Sequence, residues 1–428
     1  MDYLRGVFGL AVIVLVAFIF SSNRKKIDWR LVGIGILLQL VFGFLITQVP
    51  VVESAFAMVS RGFVKFLSFS RDGAAFIFGD LAGDSYGFIF AFQVLPTIIF
   101  FSTVSAGLYY LGILQKVVFG IAWVMARTMR LSGPESLSAA GNIFLGQTEA
   151  PLLVRPFIPQ MSKSELMCLM TGGMATIAGG VLAGYVAFLG GDSLEEQSRF
   201  AAYLLGASIM NAPAAIVMSK MFIPEVEKER VQDKLEVNEE AMGVNLIDAM
   251  SIGASEGLKL ALNAGAMLLA FIAVIAAVNY LLMGILGDVT GLNEFVVRTT
   301  GGQFQGFSLE YLFGQVFRVF AWVIGVEWAD TLQVGSLLGQ KTVINEFVAY
   351  LSLSEMKEMG SLSAKSIVIA TYALCGFSNF SSIAIQLGGI AIIAPNQQAN
   401  ISRLGLKSLL AASLACLMTA TIAGMLFG

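Results

Sequence analysis

The chain has 428 residues, of which 57% are hydrophobic and only 13% charged, and its mean hydropathy is +0.80. Soluble domains carry about 25% charged residues, so the composition excludes an ordinary soluble domain and points to an all-α polytopic membrane protein. The absence of histidine removes a His proton relay, a Ser-His nucleophile and most zinc or haem sites, and a net charge of −3 with no basic patch argues against a nucleic-acid partner.

A crossing needs about 20 mostly apolar residues. Eight stretches qualify: Leu4 to Phe20, Leu31 to Thr47, Phe88 to Leu114, Leu166 to Leu189, Phe200 to Met218, Leu260 to Leu286, Ile367 to Ala394 and Leu406 to Phe427. The first reads as a retained span rather than a signal peptide, because no clear small-residue cleavage site precedes "SSNRKK". Arg24, Lys25, Lys26 and Arg30 follow it and mark the cytoplasmic side. Threading eight crossings from there leaves both termini outside a cell (inner) membrane. Between the second and third spans, Phe56, Val59, Phe63 and Phe66 recur at helical spacing with Arg61 and Lys65 elsewhere on the wheel, the pattern of a helix lying in the interface. The charged segment Pro224 to Glu240 reads as a cytoplasmic linker between two halves. Cys168, Cys375 and Cys416 stand singly in apolar runs and read as buried, inert thiols.

Two further apolar stretches, Pro134 to Gln160 and Leu309 to Leu353, are interrupted midway by polar residues. Interrupted segments in corresponding halves predict re-entrant hairpins around a site near the bilayer midplane. The two stretches echo each other: "IFLGQTEAPL" and "LLGQKTVINEFVAYL" share Leu-Gly-Gln, and each places one glutamate, Glu149 or Glu346, deep in apolar sequence. Each is followed by a small-residue crossing with hydroxyls, "GGMATIAGGVLAG" and "CGFSNFSSIAIQLGG". The repeated order of hairpin and broken helix gives a domain reading of 1–114 (spans and interfacial helix), 115–221 (first hairpin and broken helix), 222–255 (linker), 256–288 (long span) and 289–428 (second hairpin, broken helix and last span), to which the resemblance described below adds that 1–114 and 256–288 form a scaffold. Unwound backbone at that depth is tolerated only where it lines a cavity or is buried in protein.

A carboxylate at membrane depth costs a few kcal/mol or more, and marks a functional site by default. Glu149 and Glu346 carry that reading, against simple pairing with the nearby Arg155 and Lys341. Beside Glu149, Gln147 supplies an amide and Thr148 a hydroxyl, a set suited to a planar hydrogen-bonding group. Beside Glu346, Asn379 and Ser382 suit a sugar diol, with Phe377 able to cover a ring; ordinary interhelical hydrogen bonding is the competing reading. The side chains of Asn142 and Thr176, with carbonyls freed at Leu145 and Ile177, offer hard oxygen ligands of the kind that suit Na⁺. No Ser-Lys or metal constellation supports an enzyme, and no cofactor is expected.

The stretches "GNIFLGQTEAPLLVRPF", "GGMATIAGGVLAGY", "KTVINEFVAY" and "CGFSNFSSIAIQLGG" resemble the concentrative nucleoside transporter family, in its shorter bacterial form. The resemblance implies a homotrimer whose protomers each have eight crossings, two re-entrant hairpins with inverted repeats and an interfacial helix, with an elevator-type transport domain on a trimerisation scaffold. It implies nucleobase contacts at Gln147, Thr148, Glu149 and Val181, ribose contacts at Glu346, Phe377, Asn379 and Ser382, and sodium ligands at Asn142, Leu145, Thr176 and Ile177. Threonine at 176, where serine is also expected, keeps the hydroxyl. The family includes proton-coupled members, so sodium-driven nucleoside uptake and a proton-coupled alternative both stay open, with Asn142 and Thr176 favouring sodium.

Overall fold

The computed structural model describes residues 2–86, 89–191, 193–227 and 243–426, and among them it is helical throughout with no strand. In chain order the helices are α1 (Asp2–Ile19), α2 (Trp29–Gln48), α3 (Pro50–Ser68), α4 (Ser70–Phe78), α5 (Phe90–Gln93), α6 (Leu95–Tyr110), α7 (Ile113–Met129), α8 (Gly133–Gly141), α9 (Ala150–Leu153), α10 (Lys163–Ala175), α11 (Gly179–Gly190) and α12 (Leu194–Phe222). The second half holds α13 (Leu246–Asn279), α14 (Asp288–Thr290), α15 (Leu292–Thr300), α16 (Leu309–Val323), α17 (Thr331–Val343), α18 (Glu346–Glu358), α19 (Ala364–Leu374), α20 (Phe380–Ile393) and α21 (Gln398–Leu426). Most of the linker reading, 228–242, lies outside the described residues.

Among the described residues, six helices or helix pairs are long and apolar enough to cross a membrane: α2, α5–α6, α10–α11, α12, the run from α13 to Thr290, and α21 with its preceding turn. The shorter apolar α1 and the pair α19–α20 complete the eight expected crossings. The crossing expected over Leu166 to Leu189 is broken between Ala175 and Gly179, and that over Ile367 to Ala394 between Leu374 and Phe380.

The halves repeat one plan. An amphipathic helix (α7, α16) leads into a hairpin (α8–α9, α17–α18), then a broken helix (α10–α11, α19–α20), then a long helix (α12, α21). The long helices pack against each other, and each also packs on the first arm of both broken helices. This arrangement puts the two breaks at the centre of the protein.

Two expectations need correction in detail. The stretch Leu309 to Leu353 is not one hairpin: α16 is a separate helix packed along α17, and the hairpin proper is α17–α18, reversing at Ile344 and Asn345. The cause is a turn at "IGVEWAD", where Gly325 adopts φ +107°, a conformation only glycine takes without strain. In α3, the inward stripe runs Phe56, Ser60, Phe63, Val64 and Leu67, whereas Val59 points outward. Aromatic contacts decide this: Phe56 meets Phe42, and Phe63 meets Phe101.

The hairpin roots are fixed by local chemistry. Ser132 and Glu135 form a capping box at the start of α8, as do Ser162 and Glu165 at the start of α10, each satisfying two helix N-terminal donors. Glu135 is buried and ion-paired with Lys220 of α12. Lys220 also donates to Ser164 Oγ at 2.9 Å, and Ser162 Oγ donates to Glu225 at 2.6 Å. Three elements of the first half are thereby tied at one end.

Candidate functional site

The site forms where the two breaks meet. Ala175 ends α10 and Cys375 follows α19, so their carbonyls have left the helical ladder and need other donors. One side chain answers both: Asn211, buried in the middle of α12, donates Nδ2 to the Ala175 carbonyl at 2.8 Å and to the Cys375 carbonyl at 2.6 Å. The Cys416 thiol of α21 contacts the same two carbonyls from the other side. The backbones also touch, the Phe377 N–H donating to the Thr176 carbonyl at 3.3 Å. Gly376 permits this approach, since a Cβ there would lie 2.7 Å from the Ala175 carbonyl oxygen and 2.7 Å from Cys416 Sγ.

Around this crossing the second-half residues form one network. Glu346 begins α18 and is buried. Its carboxylate accepts from Tyr185 Oη of α11 at 3.0 Å and from Asn379 Nδ2 at 2.8 Å. Asn379 caps α20, its Oδ1 accepting from the Ser382 N–H at 2.9 Å and from Ser381 Oγ at 2.7 Å. Tyr185 is fully buried and stacks on Tyr350 with ring centroids 4.4 Å apart. Lys341 is no partner for Glu346 here: its ammonium donates to the Ala373 carbonyl at 2.8 Å.

The first-half residues reach this network through Gln147, whose Nε2 donates to Ser382 Oγ at 3.1 Å. Thr148 is exposed beside Gly389 of α20, 3.7 Å from where its Cβ would stand. Glu149 is half-buried, and its carboxylate accepts from the Gly146 N–H at 2.9 Å. Val181 is buried in the first turn of α11, and Phe377 is buried at the break. Residues 235 positions apart thus meet in one layer.

Asn142 closes α8 and is buried against the last turns of α10. A Cβ on Gly172 would lie 2.9 Å from its Nδ2, and Thr176 Oγ1 donates back to the Gly172 carbonyl at 2.9 Å, so both side chains meet the same turn. Neither polar atom of the Asn142 side chain has a hydrogen-bond partner. Buried polar atoms are normally satisfied. Oxygen ligands from Asn142 and Thr176, with the non-helical Leu145 and Ile177 alongside, fit a small hard cation.

Sequence reasoning missed four contributors: Tyr185, Asn211, the Glu135–Lys220 pair and Gln386, which lies buried on α20 with its amide on the Met170 carbonyl at 3.0 Å. The spacing Ser-x-x-Glu at 132–135 and 162–165 was a readable signal for the capping boxes. Nothing local announces the other partners. A separate cavity of about 850 Å³ opens between α3, the start of α12 and the ends of α2 and α21, lined by Phe56, Arg61, Glu195 and Tyr203 among others; it contains none of the candidate site residues.

Family models match nearly the whole chain: the "Na+ dependent nucleoside transporter N-terminus" over residues 8–81, "Nucleoside recognition" over 91–192, and the "Na+ dependent nucleoside transporter C-terminus" over 203–424. The chain belongs to the sodium-dependent nucleoside transporter family. It is 43% identical to the uncharacterized transporter YutK of Bacillus subtilis, over 99% of this chain and 100% of that protein. It is 41% identical to solute carrier family 28 member 3 of Eptatretus stoutii, over 98% of this chain and 60% of that longer protein. Among solved structures, CNTnw in an inward-facing substrate-bound state matches with a TM-score of 0.90 at 39% identity, covering 100% of this chain and 98% of that one. The family and its structural neighbours are transporters rather than enzymes, and the chain is a multi-pass helical membrane protein.

Proposed function

We propose that the protein imports nucleosides across the cytoplasmic membrane, driven by the sodium gradient, by alternating access. The contact that carries this reading is Gln147 on Ser382: it joins the polar set of the first hairpin to the Glu346–Asn379 network of the second half, giving one two-sided binding layer. Gln147, Thr148, Glu149 and Val181 face the nucleobase. Glu346, Phe377, Asn379 and Ser382 hold the ribose, whose two hydroxyls suit a carboxylate flanked by an amide and a hydroxyl. A nucleoside entering this layer takes over the bond between Gln147 and Ser382.

Sodium binds at Asn142 and Thr176 with the Leu145 and Ile177 carbonyls, beside the same break that positions the base subsite, so ion and substrate order one segment together. That shared segment is the coupling. The unpartnered Asn142 amide supports sodium as the ion. The halves 115–221 and 289–428 move as a transport domain against a scaffold containing α3, α6 and α13, and the cavity between α3 and α12 leaves clearance for that motion. A homotrimer is supported by the run Leu246–Thr290, of whose most apolar window only 6% is buried within the protomer, while α6 and α13 pack closely on each other. The bilayer covers what remains, and both termini lie outside the cytoplasm.

The test is uptake of radiolabelled uridine and adenosine into proteoliposomes, with sodium replaced by choline at fixed pH. Uptake that collapses in choline is the expected result. Uptake unchanged by the swap, but driven by an inward proton gradient, establishes proton coupling instead.

A further inference from the structure

Gln386 is a buried polar side chain of α20. It lies on the inward face of α20, which presents Asn379, Ser382, Gln386 and Gly389 at successive steps of three and four residues, the spacing of one helical face. Asn379 holds Glu346, Ser382 accepts from Gln147, and Gly389 lies beside Thr148. Gln386 is therefore the one member of this face, between two site positions, that nothing yet explains. It is 1% exposed.

Its geometry is constrained on one side and open on the other. Nε2 donates to the Met170 carbonyl of α10 at 3.0 Å. A carbonyl only accepts, so the amide cannot be turned round without setting oxygen against oxygen. Oε1 is left buried without a donor. Gln147 lies alongside: a Cβ on Gly173 would stand 2.6 Å from Gln386 Nε2 and 3.0 Å from Gln147 Cβ, and the Gln147 Oε1 is also buried without a donor. The two glutamine side chains thus meet over one glycine of the broken helix, and each carries a buried amide oxygen without a donor.

Resting on the nucleoside reading above, we propose that Gln386 is a specificity-determining residue of the base subsite, its Oε1 together with that of Gln147 accepting from the exocyclic amine of a nucleobase. An amine carries two hydrogens and satisfies both oxygens. An oxo group in its place sets a third acceptor against them and satisfies neither. The site therefore prefers cytidine to uridine and adenosine to inosine, pairs that differ in this edge and hardly in size.

The experiment measures kcat/KM for these four nucleosides by competition in sodium-loaded proteoliposome uptake, for the wild type, Gln386→Met and Gln386→Leu. The wild type is expected to favour the amine in both pairs, and Gln386→Met, apolar and close in length, to lower both amine-to-oxo ratios about tenfold, the worth of one strong neutral hydrogen bond, with sodium dependence retained. Ratios that stay constant while absolute uptake falls reduce Gln386 to a tie between α20 and α10 and overturn the proposal. If neither variant folds, the wild-type ratios decide alone: a preference for uridine and inosine overturns it. Failure of the wild type to take up any of the four nucleosides is a different result, and sinks the underlying nucleoside reading as well.

Discussion

Glu149 and Glu346 occupy matching places in the repeat and are held in opposite ways. Glu346 is buried, and its carboxylate is fixed by donors from two other elements, Tyr185 of α11 and Asn379 of α20. Glu149 is half-buried and takes one bond from a backbone N–H three residues earlier in its own turn. The first hairpin is instead rigid at its root, through the Glu135–Lys220 pair and two capping boxes. In the proposed function, the ribose side of the layer is thus held by more partners than the base side. This division suits a ligand with one constant part, ribose, and one variable part, the base, because groups held in place before binding lose less freedom on binding.

The largest effect is expected from freeing the first hairpin at its root. Lys220→Met leaves Glu135 buried without its counterion, and removing one partner of a buried pair costs about 3–5 kcal/mol. Thermal unfolding in detergent should show a large loss of stability, with Glu135→Gln in the same chain restoring part of it. No change in unfolding temperature would mean that the root is not a fixed point.

The contrast itself is measured by comparing the two carboxylates. Glu346→Gln removes charge from two hydrogen bonds worth about 1.5–3 kcal/mol each, so kcat/KM for uptake should fall about a hundredfold for every nucleoside alike. Glu149→Gln disturbs one local bond and one face of the base, and should cost about tenfold, unevenly among bases. Equal, base-independent losses at the two positions would erase the distinction. The smallest effect is expected for Tyr185→Phe, which removes one neutral donor from Glu346 while leaving the ring stack on Tyr350, and should raise KM about fivefold. A Tyr185→Phe protein with unaltered KM would show that Asn379 alone fixes the carboxylate.

Much of this architecture was legible in the sequence, because hydrophobic length and interruption are local signals. The crossings, both breaks and both glutamates follow from apolar runs and the polar residues that disturb them. The separation of α16 from the second hairpin was not legible, since Glu327 and Asp330 in the turn interrupt the apolar sequence no more than the polar residues within α16 and α17 do, and the left-handed backbone at Gly325 is invisible in the pattern. The partners were hidden for a different reason. Tyr185 and Glu346 lie 161 residues apart, and Asn211 reaches Cys375 across 164; no periodicity encodes such distances. A tyrosine in "GYVAFL" and an asparagine in "IMNAPAA" read as ordinary interior residues until the fold sets them against freed carbonyls and a carboxylate.

If ion and nucleoside move together through one two-sided layer, as proposed above, the accumulation ratio reports it. One sodium ion entering down ~100 mV supplies about 2.3 kcal/mol, and a tenfold sodium gradient adds about 1.4 kcal/mol. Proteoliposomes given both should therefore concentrate a neutral nucleoside well above unity, up to a few hundredfold at perfect coupling, and Asn142→Leu proteoliposomes should only equilibrate it. Simple equilibration by the wild type under the same gradients, or undiminished accumulation by Asn142→Leu, would mean that ion and nucleoside do not move together through this layer.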